Sequence, residues 1–206
     1  MMKTQIFTYK DITKAASILQ QGGLIAFPTE TVYGLGVIYD NKTSFDRLVE
    51  VKRRRPDKPF TLMCAGINDI ADYAIVSEKT MTIINNFLPG PLTIILPIKP
   101  NLPEWVDLKT GSIGIRVSSL QSLQLLLVKV GKPLLVPSAN RADEKPALSG
   151  EEALAIFDGT IEGVIMGTVS GGEPSTIIEV SPNDVITLRR PGPISFEKII
   201  KTAEGR

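Results

Sequence analysis

The sequence predicts an α/β fold of the α+β type, a mixed sheet with flanking helices in one domain, residues 1–206. Three observations carry this. Short apolar segments of strand length alternate with segments of helical period along the chain. Toward the C-terminal end, strand segments follow one another with no helix between them, which argues against a clean doubly wound sheet. No linker, internal repeat or low-complexity tract divides the chain, and 206 residues suffice to bury a sizeable core.

Residues 5–9 (QIFTY) read as a short edge strand. Asp11 N-caps a helix to about residue 21 with an apolar stripe of Ile12, Ala15, Ala16, Ile18 and Leu19, and Gly22-Gly23 ends it. Residues 24–27 (LIAF) form a buried strand that runs into a polar turn, PTETVYGLG at 28–36, where Thr29, Glu30 and Thr31 cluster. Residues 37–40 read as a strand, 44–51 as a helix, and 60–64 (FTLMC) as a strand. After a short helix or turn, Ser77 caps a helix that Pro89-Gly90-Pro91 breaks. Residues 92–98 (LTIILPI) are the strongest strand. Residues 99–111 read as an irregular exposed connection, with Trp105 as a packing anchor. In SIGIRV, residues 112–117, Ile113, Ile115 and Val117 share one face and Arg116 lies on the other. A Leu-rich helix over 120–130 ends at Gly131, and the strand PLLVP at 133–137 opens onto Ser138-Ala139-Asn140. A helix then follows Ser149 or Gly150, three strands (GVIMG, STIIEV, VITLRRPG) come next, and a last helix spans about 195–203.

Charge narrows the function. The chain has 23 Lys+Arg and 22 Asp+Glu, yet residues 51–60, VKRRRPDKPF, hold Lys52, Arg53, Arg54, Arg55 and Lys58 against Asp57 alone. One dense basic spot on a nearly neutral chain suits a bound anion, and Pro56 and Pro59 stiffen it. A solvated basic loop at a helix C-terminus is the plain alternative. The chain has no His and one Cys, Cys64, so a zinc site and an intramolecular disulfide are excluded or nearly so. Chemistry without an imidazole must rest on positioning and electrostatics. No apolar run approaches the ~18 residues of a membrane span, and no signal-peptide pattern opens the chain, so a cytoplasmic location is expected.

Polar or basic groups recur at strand ends: PTET, KRRR, Arg116, SAN, Ser175 and Arg190. Each alone can be a cap or a surface group; together they suggest one anion-binding cleft.

PTETVYGLG, the Lys52-x-Arg54 pair, PGPLTIIL, IGIRV, PSAN, PSTIIEV and LRRPGPI, in this order over about residues 18–199, resemble the YrdC/YciO family. The resemblance implies a twisted sheet with a basic concave face, in the short form. It also implies threonylcarbamoyl-AMP synthase activity. L-threonine, bicarbonate and ATP would give threonylcarbamoyl-adenylate and pyrophosphate, which threonylcarbamoyl-transferase proteins use to make t6A in tRNA. By resemblance Lys52, Arg54, Ser138 and Asn140 form the signature tetrad around the nucleotide phosphates and carbamate. Lys58, Ser112, Ser149 and Arg190 join Arg54 and Asn140 along ATP. Thr31, Arg116, Ser138 and Ser175 hold threonine. Mg²⁺ would accompany ATP, with no protein metal ligands assigned. Arg53 and Arg55 depart from the pattern of many synthases, Met63 stands where a His often contacts threonine, and FTLMC is closer to the YciO branch. The alternative is therefore a YciO-like protein that binds nucleotide, tRNA or double-stranded RNA with weak or different activity. Residues 141–149 are a candidate lid beside a plain surface-loop reading.

Overall fold

The computed structural model describes residues 3–55, 59–100, 102–169 and 171–205. Its strands are β1 (Gln5–Phe7), β2 (Ile25–Phe27), β3 (Gly34–Ile38), β4 (Leu62–Cys64), β5 (Leu92–Pro97), β6 (Ser112–Val117), β7 (Leu134–Leu135), β8 (Gly163–Ile165), β9 (Thr176–Val180) and β10 (Ile186–Arg190). Its α-helices are α1 (Ile12–Gln20), α2 (Lys42–Lys52), α3 (Ile70–Tyr73), α4 (Glu78–Phe87), α5 (Glu104–Asp107), α6 (Gln121–Val130), α7 (Gly150–Phe157) and α8 (Phe196–Ala203). The strands form one ten-stranded sheet in the order β1-β8-β2-β3-β7-β4-β6-β5-β9-β10. Pairings are mixed: β4 runs parallel to β6 and β5 to β9, while β2–β3, β5–β6 and β9–β10 are antiparallel. The mixed α/β architecture expected from the sequence is the one observed.

The strand alternation decides where the core lies. Ile113, Ile115 and Val117 of β6, Leu92, Ile94 and Leu96 of β5, and Ile178 and Val180 of β9 face one side. There they pack with Phe45 and Leu48 of α2, Ile83 and Ile84 of α4, Phe157 of α7 and Ile199 of α8. On the other side α1 and α6 cover part of the sheet, packing Ala15, Leu19, Leu123 and Leu127 onto Ile25, Phe27, Ile38 and Met63. The remaining part of that second face carries Thr61, Thr93, Arg116 and Ile177 and is left open as a cavity.

Three readings are corrected. The strand expected at 37–40 begins at Gly34, inside the predicted turn, and ends at Ile38. The glycines serve packing rather than turning: a Cβ on Gly36 would stand 2.6 Å from Phe27 Cε1, and one on Gly34 would stand 2.6 Å from Val136 Cγ1. The supposedly irregular 99–111 segment contains α5, with Val106 fully buried; Trp105 does anchor it, donating from Nε1 to Tyr39 O at 3.0 Å. Asp11 stands at the N-cap of α1 but makes no side-chain cap there; its carboxylate accepts from Thr8 N and Oγ1 instead. Asn41 and Ser77, by contrast, do cap α2 and α4 through their side chains.

Candidate active site

The open face holds a cavity of about 370 Å³. Its floor is Thr61 beside β4, Met63 of β4, Thr93 of β5, Arg116 of β6 and Ile177 of β9. The 29–34 segment, Ser138 and Asn140, Arg54, Ser175 and Arg190 form the walls. A smaller cavity of about 150 Å³ adjoins it, lined by Lys52, Arg53, Arg54, Arg55, Ala142 and Asp143, and the two share Arg54, Ser138 and Asn140.

Arg116 is a buried charge of the site, 6% exposed. Its Nη2 lies 2.9 Å from Glu30 Oε1 and donates to Thr31 Oγ1 at 2.9 Å. Glu30 Oε2 in turn accepts from Ser118 Oγ. Burial alone would raise the Glu30 carboxyl, but Arg116 and the Ser118 hydroxyl outweigh it and hold it below its ordinary value. The Thr31 proton has a fixed destination. Thr29 Oγ1 donates to Val32 O at 2.7 Å, so in its 2.9 Å contact with Thr31 Oγ1 it is the acceptor. Among the described residues Arg116 Nε is buried with no hydrogen-bond partner, a donor that a ligand oxygen could satisfy.

Arg190 reaches in from the exposed edge strand β10. Its Nε and Nη2 donate to Ser175 O at 3.1 and 2.7 Å, and Nη2 also lies 3.1 Å from Ser175 Oγ. Ser175 Oγ lies 2.9 Å from Thr93 Oγ1. Partial burial and the nearby Arg116 guanidinium lower the Arg190 value. Two guanidiniums and three hydroxyls thus converge at one end of the cavity.

The other end belongs to the SAN turn and the end of α2. Arg53 caps α2 in the left-handed region, φ 50°, a conformation uncommon for a non-glycine residue, and so redirects the chain at Arg54. The Arg54 guanidinium lies 5.0 Å over the Phe60 ring and donates from Nη2 to Pro59 O at 3.3 Å. Lys52 is 2% exposed, and burial together with the Arg54 charge brings its ammonium down to about 7. Its Nζ donates to Ser138 O, Asn140 O and Asn140 Oδ1.

Of the residues singled out from sequence, Thr31, Arg54, Arg116, Ser138, Asn140, Ser175 and Arg190 line the main cavity and Lys52 the adjoining one. Ser112 is not on the cavity wall. It shares the Arg116 face of β6 but lies four residues away, ~13 Å along a strand. Ser149 N-caps α7, accepting from Glu152 N at 3.2 Å. Lys58 lies outside the described residues. The 141–149 segment is fastened: Ala142 N donates to Lys52 O, the Arg141 guanidinium to Val51 O and Ile156 O, and Ala147 N to Ala139 O. Glu30 and Thr93 went unassigned in the sequence reading. Thr93 had a signal, as the lone polar residue in an otherwise apolar strand.

A family model described as telomere recombination, covering Sua5, YciO and YrdC, matches residues 17–192. The chain belongs to the Sua5/YciO/YrdC family. Among solved structures, P. abyssi Sua5 complexed with L-threonine superimposes with a TM-score of 0.89 at 29% identity, over 98% of this chain and 60% of that one. E. coli YciO gives 0.87 at 25% identity, over 97% of this chain and 100% of that one. A full-length HypF in a phosphate- and nucleotide-bound form shares the fold, with a TM-score of 0.77 at 19% identity over 88% of this chain and 29% of that one. This Sua5/YciO/YrdC chain therefore spans about 60% of the length of the Sua5 it matches and the whole of YciO.

Proposed function

We propose that the chain is an L-threonylcarbamoyladenylate synthase, a nucleotidyltransferase. It makes threonylcarbamoyl-AMP and pyrophosphate from L-threonine, bicarbonate and ATP, for t6A formation in tRNA by partner transferases. The observation that carries this is a cavity with cationic side chains at both ends. At one end Arg116, with its unpartnered buried Nε, and Arg190 stand among Thr31, Thr93 and Ser175. That set suits an amino-acid carboxylate, and the similar Sua5 was solved with L-threonine. At the other end Arg54 borders the adjoining cavity with Arg53 and Arg55, which suits the phosphates of ATP.

The chemistry needs only what such a site supplies. Threonine and bicarbonate give a carbamate as the C–N bond forms and water leaves; a carbamate oxygen then bonds to the α-phosphorus while the bond to the β-phosphate oxygen breaks, and pyrophosphate leaves with the electron pair. Fixed guanidiniums hold two anions together and stabilise the leaving group, so no side-chain nucleophile or histidine is required. Among the described residues no group of three or more His, Cys, Asp or Glu could cage a metal, so Mg²⁺ enters in this reading on the ATP phosphates. No described helix is long and apolar enough to cross a membrane, and the reading puts the protein in the cytoplasm with its tRNA product pathway.

The test is a mass-spectrometric search for threonylcarbamoyl-AMP after incubation with ATP, Mg²⁺, bicarbonate and L-threonine, with L-serine as control. Threonine-dependent product is expected. ATP binding without product would favour the second reading, a YciO-like protein of different activity. Met63, 2% exposed in the cavity floor, supports that reading.

A further inference from the structure

Lys52 lines the cavity that the proposed function gives to the ATP phosphates, yet its hydrogen bonds point elsewhere. Its ammonium faces Ser138 O at 2.5 Å, Asn140 O at 2.7 Å and Asn140 Oδ1 at 3.3 Å. Protonated, as it is below about pH 7, Lys52 has three protons, and three oxygens take them. The Asn140 amide is oriented as firmly. Nδ2 donates to Arg141 O at 2.8 Å and Glu144 O at 2.9 Å, which turns Oδ1 toward Lys52 and toward Ser138 Oγ, 2.6 Å away. A flipped amide would set its oxygen against two carbonyls and its NH₂ against an ammonium. Ser138 has one hydroxyl proton, and Asn140 Oδ1 accepts it. Toward the cavity Ser138 offers lone pairs only.

We infer that Lys52 is a positioning residue that does not touch substrate: through Asn140 it holds Ser138 as an obligate acceptor for a substrate N–H. The inference rests on the proposed reaction for the identity of that N–H, which is the carbamate's. During transfer the carbamate oxygen bonds to the α-phosphorus and pyrophosphate leaves with the electron pair. The N–H proton stays on nitrogen, anchored on Ser138. A phosphate oxygen carries no proton and is no partner for Ser138 in this state, so nucleotide binding falls to the guanidiniums.

The experiment compares Lys52→Met, Ser138→Ala and the double variant, with ATP affinity measured by calorimetry beside adenylate formation. Lys52→Met is expected to lower kcat about 30-fold while the ATP Kd stays within about threefold. Added to Ser138→Ala it causes no further loss, because both act on one hydrogen bond. N-methyl-L-threonine, whose carbamate has no N–H, sharpens the result: the wild type rejects it about 100-fold, and Ser138→Ala shrinks that discrimination to about tenfold or less. A tenfold or larger rise in ATP Kd for Lys52→Met, multiplying losses, or equal discrimination in both proteins would overturn the inference. Ser138→Ala keeps every backbone oxygen that Lys52 uses, so the N-methyl comparison stands even if Lys52→Met fails to fold. If the wild type makes no adenylate, the proposed function fails by itself. The ATP titration and the exchange rate of the Asn140 side-chain NH₂, expected to rise at least about tenfold in Lys52→Met, then decide the role of Lys52.

Discussion

Glu30→Gln is the perturbation with the clearest arithmetic. It keeps the side-chain shape and removes one charge from the pair with Arg116, whose Nη2 lies 2.9 Å from Glu30 Oε1 with side-chain exposures of 8% and 16%. Removing one partner of a buried pair costs about 3–5 kcal/mol, mostly because the remaining charge stays buried without its counter-ion. Glu30 keeps some exposure, so the lower end, about 3 kcal/mol, is expected. In a domain of about 200 residues each kcal/mol moves Tm by about 2–4 °C, giving a drop of about 6–12 °C by differential scanning calorimetry at pH 7. The sign with pH follows from the lowered Glu30 carboxyl. A carboxylate whose folded value is depressed stabilises above its unfolded value and loses that contribution as pH falls through the folded one. The gap between wild type and variant therefore narrows in acid. A Tm shift under about 2 °C, or a gap that stays constant as the pH is lowered, would refute this account of Arg116.

Gly36→Ala puts a Cβ 2.6 Å from Phe27 Cε1, and with Phe27 1% exposed the ring has little room to move. A loss of about 1–3 kcal/mol in urea denaturation is expected, partly recovered by Phe27→Leu. Trp105→Phe deletes the 3.0 Å bond to Tyr39 O and should cost about 1–2 kcal/mol, seen as a fall of a few degrees in Tm. Lys52, brought from 10.5 to about 7 by burial and Arg54, binds fewer protons folded than unfolded between those values. Stability therefore rises as pH rises from 7 to 8, and the Lys52 ¹³Cε shift titrates in the same interval; a shift that stays flat to pH 9 would contradict it.

What the sequence revealed and what it hid divide along physical lines. Alternation in SIGIRV put Arg116 opposite Ile113, Ile115 and Val117, and the sheet keeps that division. Alternation could not say that Arg116 is buried, because its cover comes from Glu30 and Thr31, which lie far from it in the chain. The glycines of PTETVYGLG suggested a turn, since a glycine that makes room for a neighbouring ring looks the same in sequence as one that frees the backbone. The basic decapeptide stood out in the sequence, but the divergence of its side chains did not. Lys52 turns inward to carbonyl oxygens while Arg54, two residues on, faces the cavity, and the left-handed residue between them causes the divergence.

The cavity takes its walls from Thr29 through Arg190, so no fragment of the chain contains a working version of it. Any ligand that fills it at about 100 times its Kd stabilises the whole fold by about 2.7 kcal/mol, not one element. The reverse coupling is less even. Among the described residues β10 has β9 as its only strand neighbour, its residues are mostly exposed, and it delivers Arg190 to one end of the cavity. Fraying of this outermost strand is therefore felt first by the ligand. A substitution on its solvent side acts as a change in affinity before it registers as a change in stability.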